Sequence, residues 1–181
     1  MQILSAPFAG AIAGSYESIA TTTVGSTSQT TVTFSSIPST YKHLQVRFMA
    51  KGNFAANYYS TAMRFNSDSG SNYSYHALSG NGSSVSASGS YPQANVFFTV
   101  AGTNPTNIFG IGVIDILDYA NTNKYKTVRT LNGIDTNGDG VVRLESSVWS
   151  NTAAITNISF TTAGYGDWLQ YSSFALYGIK G

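Results

Sequence analysis

The sequence predicts an all-β fold: an antiparallel two-sheet, jelly-roll-like β-sandwich with an extended N-terminal arm. Three observations carry that expectation. Runs rich in Val, Ile, Thr, Phe and Tyr recur along the chain, and such side chains suit a pleated, half-buried surface. Clusters of Gly or Asn interrupt them roughly every ten residues, the rhythm of strand and turn in sandwiches and barrels. No window sustains a 3.6-residue apolar period, and Ala, Leu, Glu and Lys are too scattered for a long helix. About ten strands in the 165 or so residues after Tyr16 fit a jelly roll. An immunoglobulin-type sandwich uses fewer strands in a shorter chain, and no short-period repeat marks a β-helix.

The elements follow in chain order. Residues 1–15 form an apolar arm, in which Ile3, Leu4, Pro7, Phe8 and Ile12 are the candidate attachment residues. The stretch Ala6–Gly14 is too short for a spanning helix, which needs about 20 apolar residues. The first Lys or Arg is Lys42, so the arm also lacks the early cation of a secretory signal. Residues 18–24 and 30–34 are β-branched runs separated by Gly25–Ser28, which reads as a hairpin. In 43–49, Leu44, Val46 and Phe48 alternate with His43, Gln45, Arg47 and Met49, the period of a half-buried strand. Residues 63–65 and 73–77 continue the series, and Gly80–Ser90 reads as a flexible, Gly- and Ser-rich loop. Residues 95–100 are a strand. Residues 108–119 are the most apolar run, expected as a central strand buried on both faces. Gly110 and Gly112 within it suggest a bulge or close backbone approach. The last strands fall at 125–131, 141–149, 155–161 and 172–179. The whole of 16–181 reads as one β-sandwich domain.

Composition narrows the function. Only 17 of 181 residues are charged, whereas Ser, Thr and Asn together supply 59, so hydroxyls and amides must wet the surface. A net charge of +1 gives no footprint for nucleic acid or an anionic membrane, and neither is expected as a partner. The lack of Cys removes disulfides, thiolate metal sites and Cys nucleophiles. Hydrophobic residues at 42% and aromatics at 13% are enough for a core, which argues against disorder.

Candidate sites are few. Asp135, Asn137 and Asp139, followed by Gly140, match the opening of a calcium loop, where alternate oxygens ligate and Gly permits the sharp turn. The twelfth position is Ser146 instead of Glu, Glu145 falls one residue early, and a polar β-turn explains the motif better. No metal and no cofactor are expected. Asp115 and Asp118, three apart in a strand, point to opposite faces and make a poor acid–base pair. Asp115 is expected to pair across strands with Lys126 or Arg129. His43 and His76 have no metal-ligand spacing, and no Gly-x-Ser-x-Gly elbow is present. Among the many aromatics, Tyr165 and Trp168, in the Gly-rich segment 163–168, are the candidates for stacking on a sugar ring.

Several long stretches share a likeness. YESIATTTVG (16–25), SSIPSTYKHLQVR (35–47), RFNSDSGSNYSYHALSGNGSSVSA (64–87), IDILDYANTNKYKTVR (114–129) and QYSSFALYGIKG (170–181) resemble a family of small β-rich virion or tail-associated proteins. These occur in tailed bacteriophages of cyanobacteria and other aquatic bacteria. The resemblance covers nearly everything after Tyr16 and brings no catalytic residue with it. It implies a non-enzymatic virion structural protein, made in the host bacterial cytoplasm and carried on the particle exterior.

Within that frame the leading expectation is a capsid decoration, or cement, protein. It would form a homotrimer and attach through its arm to other virion proteins, such as the major capsid protein or tail proteins. The alternative is a tail-fibre-associated adhesin that binds host surface glycan through Tyr165 and Trp168. A glycan-cleaving enzyme is disfavoured by the lack of a plausible carboxylate pair.

Overall fold

The computed structural model describes residues 14–181. The arm residues Ile3, Leu4, Pro7, Phe8 and Ile12 lie outside the described residues. Two antiparallel sheets pack face to face as a sandwich. In spatial order the larger sheet holds β1 (Tyr16–Thr23), β12 (Ser173–Ile179), β3 (His43–Ala50), β8 (Gly110–Leu117), β9 (Lys126–Asp135), β10 (Gly140–Trp149), β5 (Tyr73–Gly80) and β6 (Val85–Gln93). The smaller holds β2 (Thr31–Phe34), β11 (Ile158–Thr161), β4 (Tyr58–Phe65) and β7 (Val96–Ala101). The antiparallel sandwich is as the sequence predicts, but its layers are unequal, eight strands against four.

The alternation read from the sequence sets the facing of each strand. Leu44, Val46 and Phe48 of β3, Ile114 and Ile116 of β8, and Phe174 and Leu176 of β12 all point inward and are buried. Val32, Phe34, Phe65, Phe98 and Phe160 meet them from the smaller sheet. The centre is aromatic. Phe48 lies 4.9 Å from Phe98, and Phe160 lies 4.9 Å from Phe174, ring centre to ring centre. Such pairs add about 0.5–1.5 kcal/mol beyond area burial. A second cluster joins Phe65, Tyr73 and Trp149, with the Trp149 indole N–H donating to Asp68 at 2.8 Å.

Close approach explains Gly110. A Cβ there would stand 2.7 Å from the Val100 Cα, so this is where β8 and β7 cross with backbones nearly touching. At Gly112 a Cβ would meet the Phe48 ring at 2.5 Å.

Three expectations need correction. Residues 18–24 and 30–34 do not form a hairpin. β1 pairs with β12 over most of its length, β2 pairs with β11, and residues 25–28 carry the chain between the layers. The segment 80–90 is mostly not loop. Val85–Ser90 pairs with β5 as an edge strand, and only 81–84 turn, closed by the Asn81 side chain accepting from the Ser83 and Ser84 N–H groups. Backbone pairing needs no apolar side chain, which is why so Ser-rich a strand reads as loop. Finally, β8 is central but not covered on both faces, because Ile111 is 60% and Leu117 42% exposed.

Candidate interaction surface

The register of the larger sheet places its outward side chains in rows that run across the strands. One row reads Met49, Ile111, Gly133, Val142, Gly80 and Val85 on β3, β8, β9, β10, β5 and β6. The next reads Arg47, Val113, Leu131, Leu144, Leu78 and Ala87 on the same strands. Together they make an apolar band six strands wide. Its seven largest aliphatic side chains are Met49, Leu78, Val85, Ile111, Leu131, Val142 and Leu144, and each is 43–75% exposed. They present on the order of 600 Å² of apolar surface, at the top of the range for the largest patch on a monomer.

The band is bounded on both sides by polar rows. Gln45, Asp115, Arg129, Ser146 and His76 lie along one side. Arg129 donates to Asp115 at 3.0 Å, and Gln45 donates to the same carboxylate at 2.8 Å. On the other side stand Asp135, Gly140 and the turns 81–84 and 136–139. There the band dips into an open concavity of about 1220 Å³, whose floor includes Gly80, Gly133 and Gly140. Gly80 leaves a notch beside Val142 and Val85, whereas at Gly133 a Cβ would already meet the Val141 carbonyl at 2.6 Å.

The opposite face of β9 and β10 carries buried polar residues among the apolar ones. Thr130, Asn132, Glu145 and Ser147 point inward and are buried. Asn132 and Glu145 find partners on β7, the last strand of the smaller sheet. The Thr99 N–H donates to the Asn132 side-chain oxygen at 2.9 Å, and the Phe97 N–H donates to Glu145. These are donors on the open edge of β7. A free edge exposes unpaired N–H groups and invites foreign strands, so the side chains of the larger sheet close it. Glu145 also accepts from Arg143 at 2.8–2.9 Å and from Ser147 at 2.9 Å, while Arg143 lies over the Tyr75 ring. Burial pushes the Glu145 carboxyl above its ordinary value, against the opposing pull of Arg143 and Ser147.

The residues singled out from sequence fall in different places. Trp168 is not a surface residue. It is fully buried, stacks on Phe98 at 6.3 Å, packs against Phe174, and donates its indole N–H to the Phe160 carbonyl. It therefore cannot stack on a sugar, because the short strand segments around it fold its ring into the core. Tyr165 remains 55% exposed and rests edge-on against Phe54. Asp135 and Asp139 are engaged within their own turn. Asp135 accepts from the Asn137 N–H, and Asp139 accepts from the Gly140 N–H and the Asn57 amide. Asn137 and Gly138 supply the positive φ values, 58° and 131°, that the hairpin requires.

Asp115 meets Arg129 across the strands, but Lys126 does not join them. The Lys126 ammonium is buried and donates to the carbonyls of Asn121, Lys124 and Thr152 at 2.7–3.0 Å. Asp118 sits past the end of β8 between Lys42 and Lys124, whose hydrogen bonds hold its carboxyl down at about 2. His43 accepts from the Asp118 N–H at 3.0 Å, and His76 is exposed on the polar row.

Sequence reading missed the band. Its signal was present, because residues 111–117, 131, 142 and 144 are apolar at positions of both parities, but strands buried on both faces give the same pattern. Compared with known proteins, the chain matches no family model, no curated protein and no solved structure.

Proposed function

We propose that this protein is a structural component of a bacteriophage particle, a capsid decoration protein that sits on the particle exterior and is held there through residues 1–15. The observation that carries the reading is the apolar band on the outer face of the larger sheet. A subunit made to stand alone would place Ser, Thr or Lys at Leu131, Leu144 and Leu78, as it does at Ser86, Ser88 and Thr127. An aliphatic band with polar margins is the anatomy of a protein–protein contact. The likeness of 16–181 to virion-associated proteins supports the same reading. Few charges on the rest of the surface suit a crowded assembly, since they limit unwanted electrostatic contacts.

Quantitative mass spectrometry of purified particles tests the proposal. Hundreds of copies per particle are expected, and absence from the particle overturns it. Deletion of residues 1–15 is expected to abolish attachment while the β-sheet circular dichroism persists. Decoration by the truncated chain would sink the role given to Ile3, Leu4, Pro7, Phe8 and Ile12. The tail-adhesin alternative now rests on Tyr165 without Trp168, and micromolar binding on a glycan array, lost in Tyr165→Ala, would favour it instead.

A further inference from the structure

We infer that the apolar band pairs with the same band on a second copy of this chain, giving a two-fold symmetric dimer stacked through the larger sheets. The inference rests on the reading of the protein as a subunit of an assembly, and it names the partner and the register.

The first support is area. A standard interface buries about 800 Å² per partner, and the band with its polar margins supplies that much, whereas its aliphatic part alone is on the order of 600 Å². The second is fit. A dyad lying between the two sheets, along the rows and midway between them, brings each row over the other row of the mate. Each strand then lies over its own copy. Leu78 faces the open notch at Gly80 of the second copy and fills it, and Leu131 lies over Gly133, which presents no side chain to oppose it. Val113 meets Ile111 and Leu144 meets Val142. Sheets stack about 10 Å apart with facing side chains interdigitating, a gap these pairs fill.

The third support is charge. The same operation carries the polar row beyond Leu131 onto the row beyond Gly133. Arg129, whose side chain is 66% exposed, then faces Asp135 of the mate, and by symmetry the pair occurs twice. Ser146 faces Gly140 and His76 faces the turn at Gly82, while Arg129 is shared between Asp115 of its own chain and Asp135 of the mate. The twist of each sheet makes the contact tightest at the middle strands of the band, β8, β9, β10 and β5. These are the strands that carry Ile111, Leu131, Leu144 and Leu78. A closed two-fold pair differs from the homotrimer expected of a capsid decoration protein. It is isologous, so each substitution counts twice.

The test is sedimentation equilibrium on the purified full chain, with folding of every variant checked by circular dichroism. The wild type is expected to be a dimer at micromolar concentration. Leu131→Lys is expected to weaken it by at least about a hundredfold, and Leu144→Lys by a similar factor, through loss of central contacts on both copies. Asp135→Arg is expected to weaken the dimer by about three- to tenfold, and Asp135→Arg combined with Arg129→Glu to restore most of that loss. A wild-type monomer or trimer at about 100 µM overturns the inference. So does a dimer that Leu131→Lys and Leu144→Lys both leave intact, which would place the contact elsewhere. Failure of the charge exchange to rescue overturns the register. None of these outcomes bears on whether particles contain the chain, so the failure of this inference and the failure of the structural role are told apart.

Discussion

The two halves of the larger sheet are built in opposite senses. On β12, β3 and the start-to-middle of the inner layer, apolar residues point inward and Gln45, Arg47 and Tyr177 point out. On β9 and β10, Asn132, Glu145 and Ser147 point inward, and Leu131, Val142 and Leu144 point out. The difference follows from where the smaller sheet ends. Under β3 and β12 the inner face meets a continuous aromatic layer. Under β9 and β10 it meets the edge of β7, whose N–H groups demand acceptors. An apolar residue at 132 or 145 would leave them unpaired. The outward aliphatic residues have no such local explanation, because they make the face less suited to water. Inversion of both faces at once thus separates an internal requirement, closure of an edge, from an external one, contact with another surface.

Five substitutions sharpen that contrast, taken site by site in order of expected effect. Phe98→Ala, in the aromatic centre, is expected to lower the unfolding free energy by about 3–5 kcal/mol, read from urea denaturation. Glu145→Ala is expected to lose about 3 kcal/mol, because it strands the half-buried Arg143 partner and the Phe97 N–H. If it costs no more than a surface substitution, the edge-closing role is wrong.

The same carboxyl has a pH signature. Burial raises its folded pKa above the ordinary 4.5, so its stabilising contribution is complete below that value and declines as pH rises through the folded pKa. Glu145→Gln should therefore gain on the wild type between pH 4 and pH 8. A difference that does not change with pH would contradict the raised pKa.

Asn132→Ala is expected to lose about 1–3 kcal/mol, the desolvation penalty of the unpaired Thr99 N–H. Hydrogen exchange at the Thr99 amide should accelerate more than at its β4-paired neighbours. The smallest effect belongs to the outer face. Leu144→Thr, measured at a dilution where the chain is monomeric, should change the unfolding free energy by no more than about 0.5 kcal/mol. A loss comparable to that of Phe98→Ala would mean that the band serves the monomer and not a contact.

Much of the fold was legible in the residues. The alternation in 43–49 fixed the inward face of β3, and Gly110 marked a crossing of backbones. Asn137–Gly138 marked a hairpin turn. Other features were opaque for identifiable reasons. The segment 85–90 has no apolar pattern, because an exposed edge strand is held by backbone bonds alone. Trp168 lies in a Gly-rich segment typical of surface loops, yet its ring completes the core beside Phe98 and Phe174. The run 108–119 showed its apolarity openly, but not whether a second layer covers its outer side.

The sequence by itself determined the strand content, the facing of most strands and the uncharged character of the surface. Those follow from side-chain period, β-branched and aromatic composition, and the count of ionisable groups. Only the tertiary structure decided which strands share a sheet, and that the smaller sheet stops at β7. Pairing depends on partners far apart in the chain, and no local pattern encodes them. That one termination places Glu145 and Asn132 under an open edge, and the lateral register gathers six strands' outward residues into a single aliphatic band.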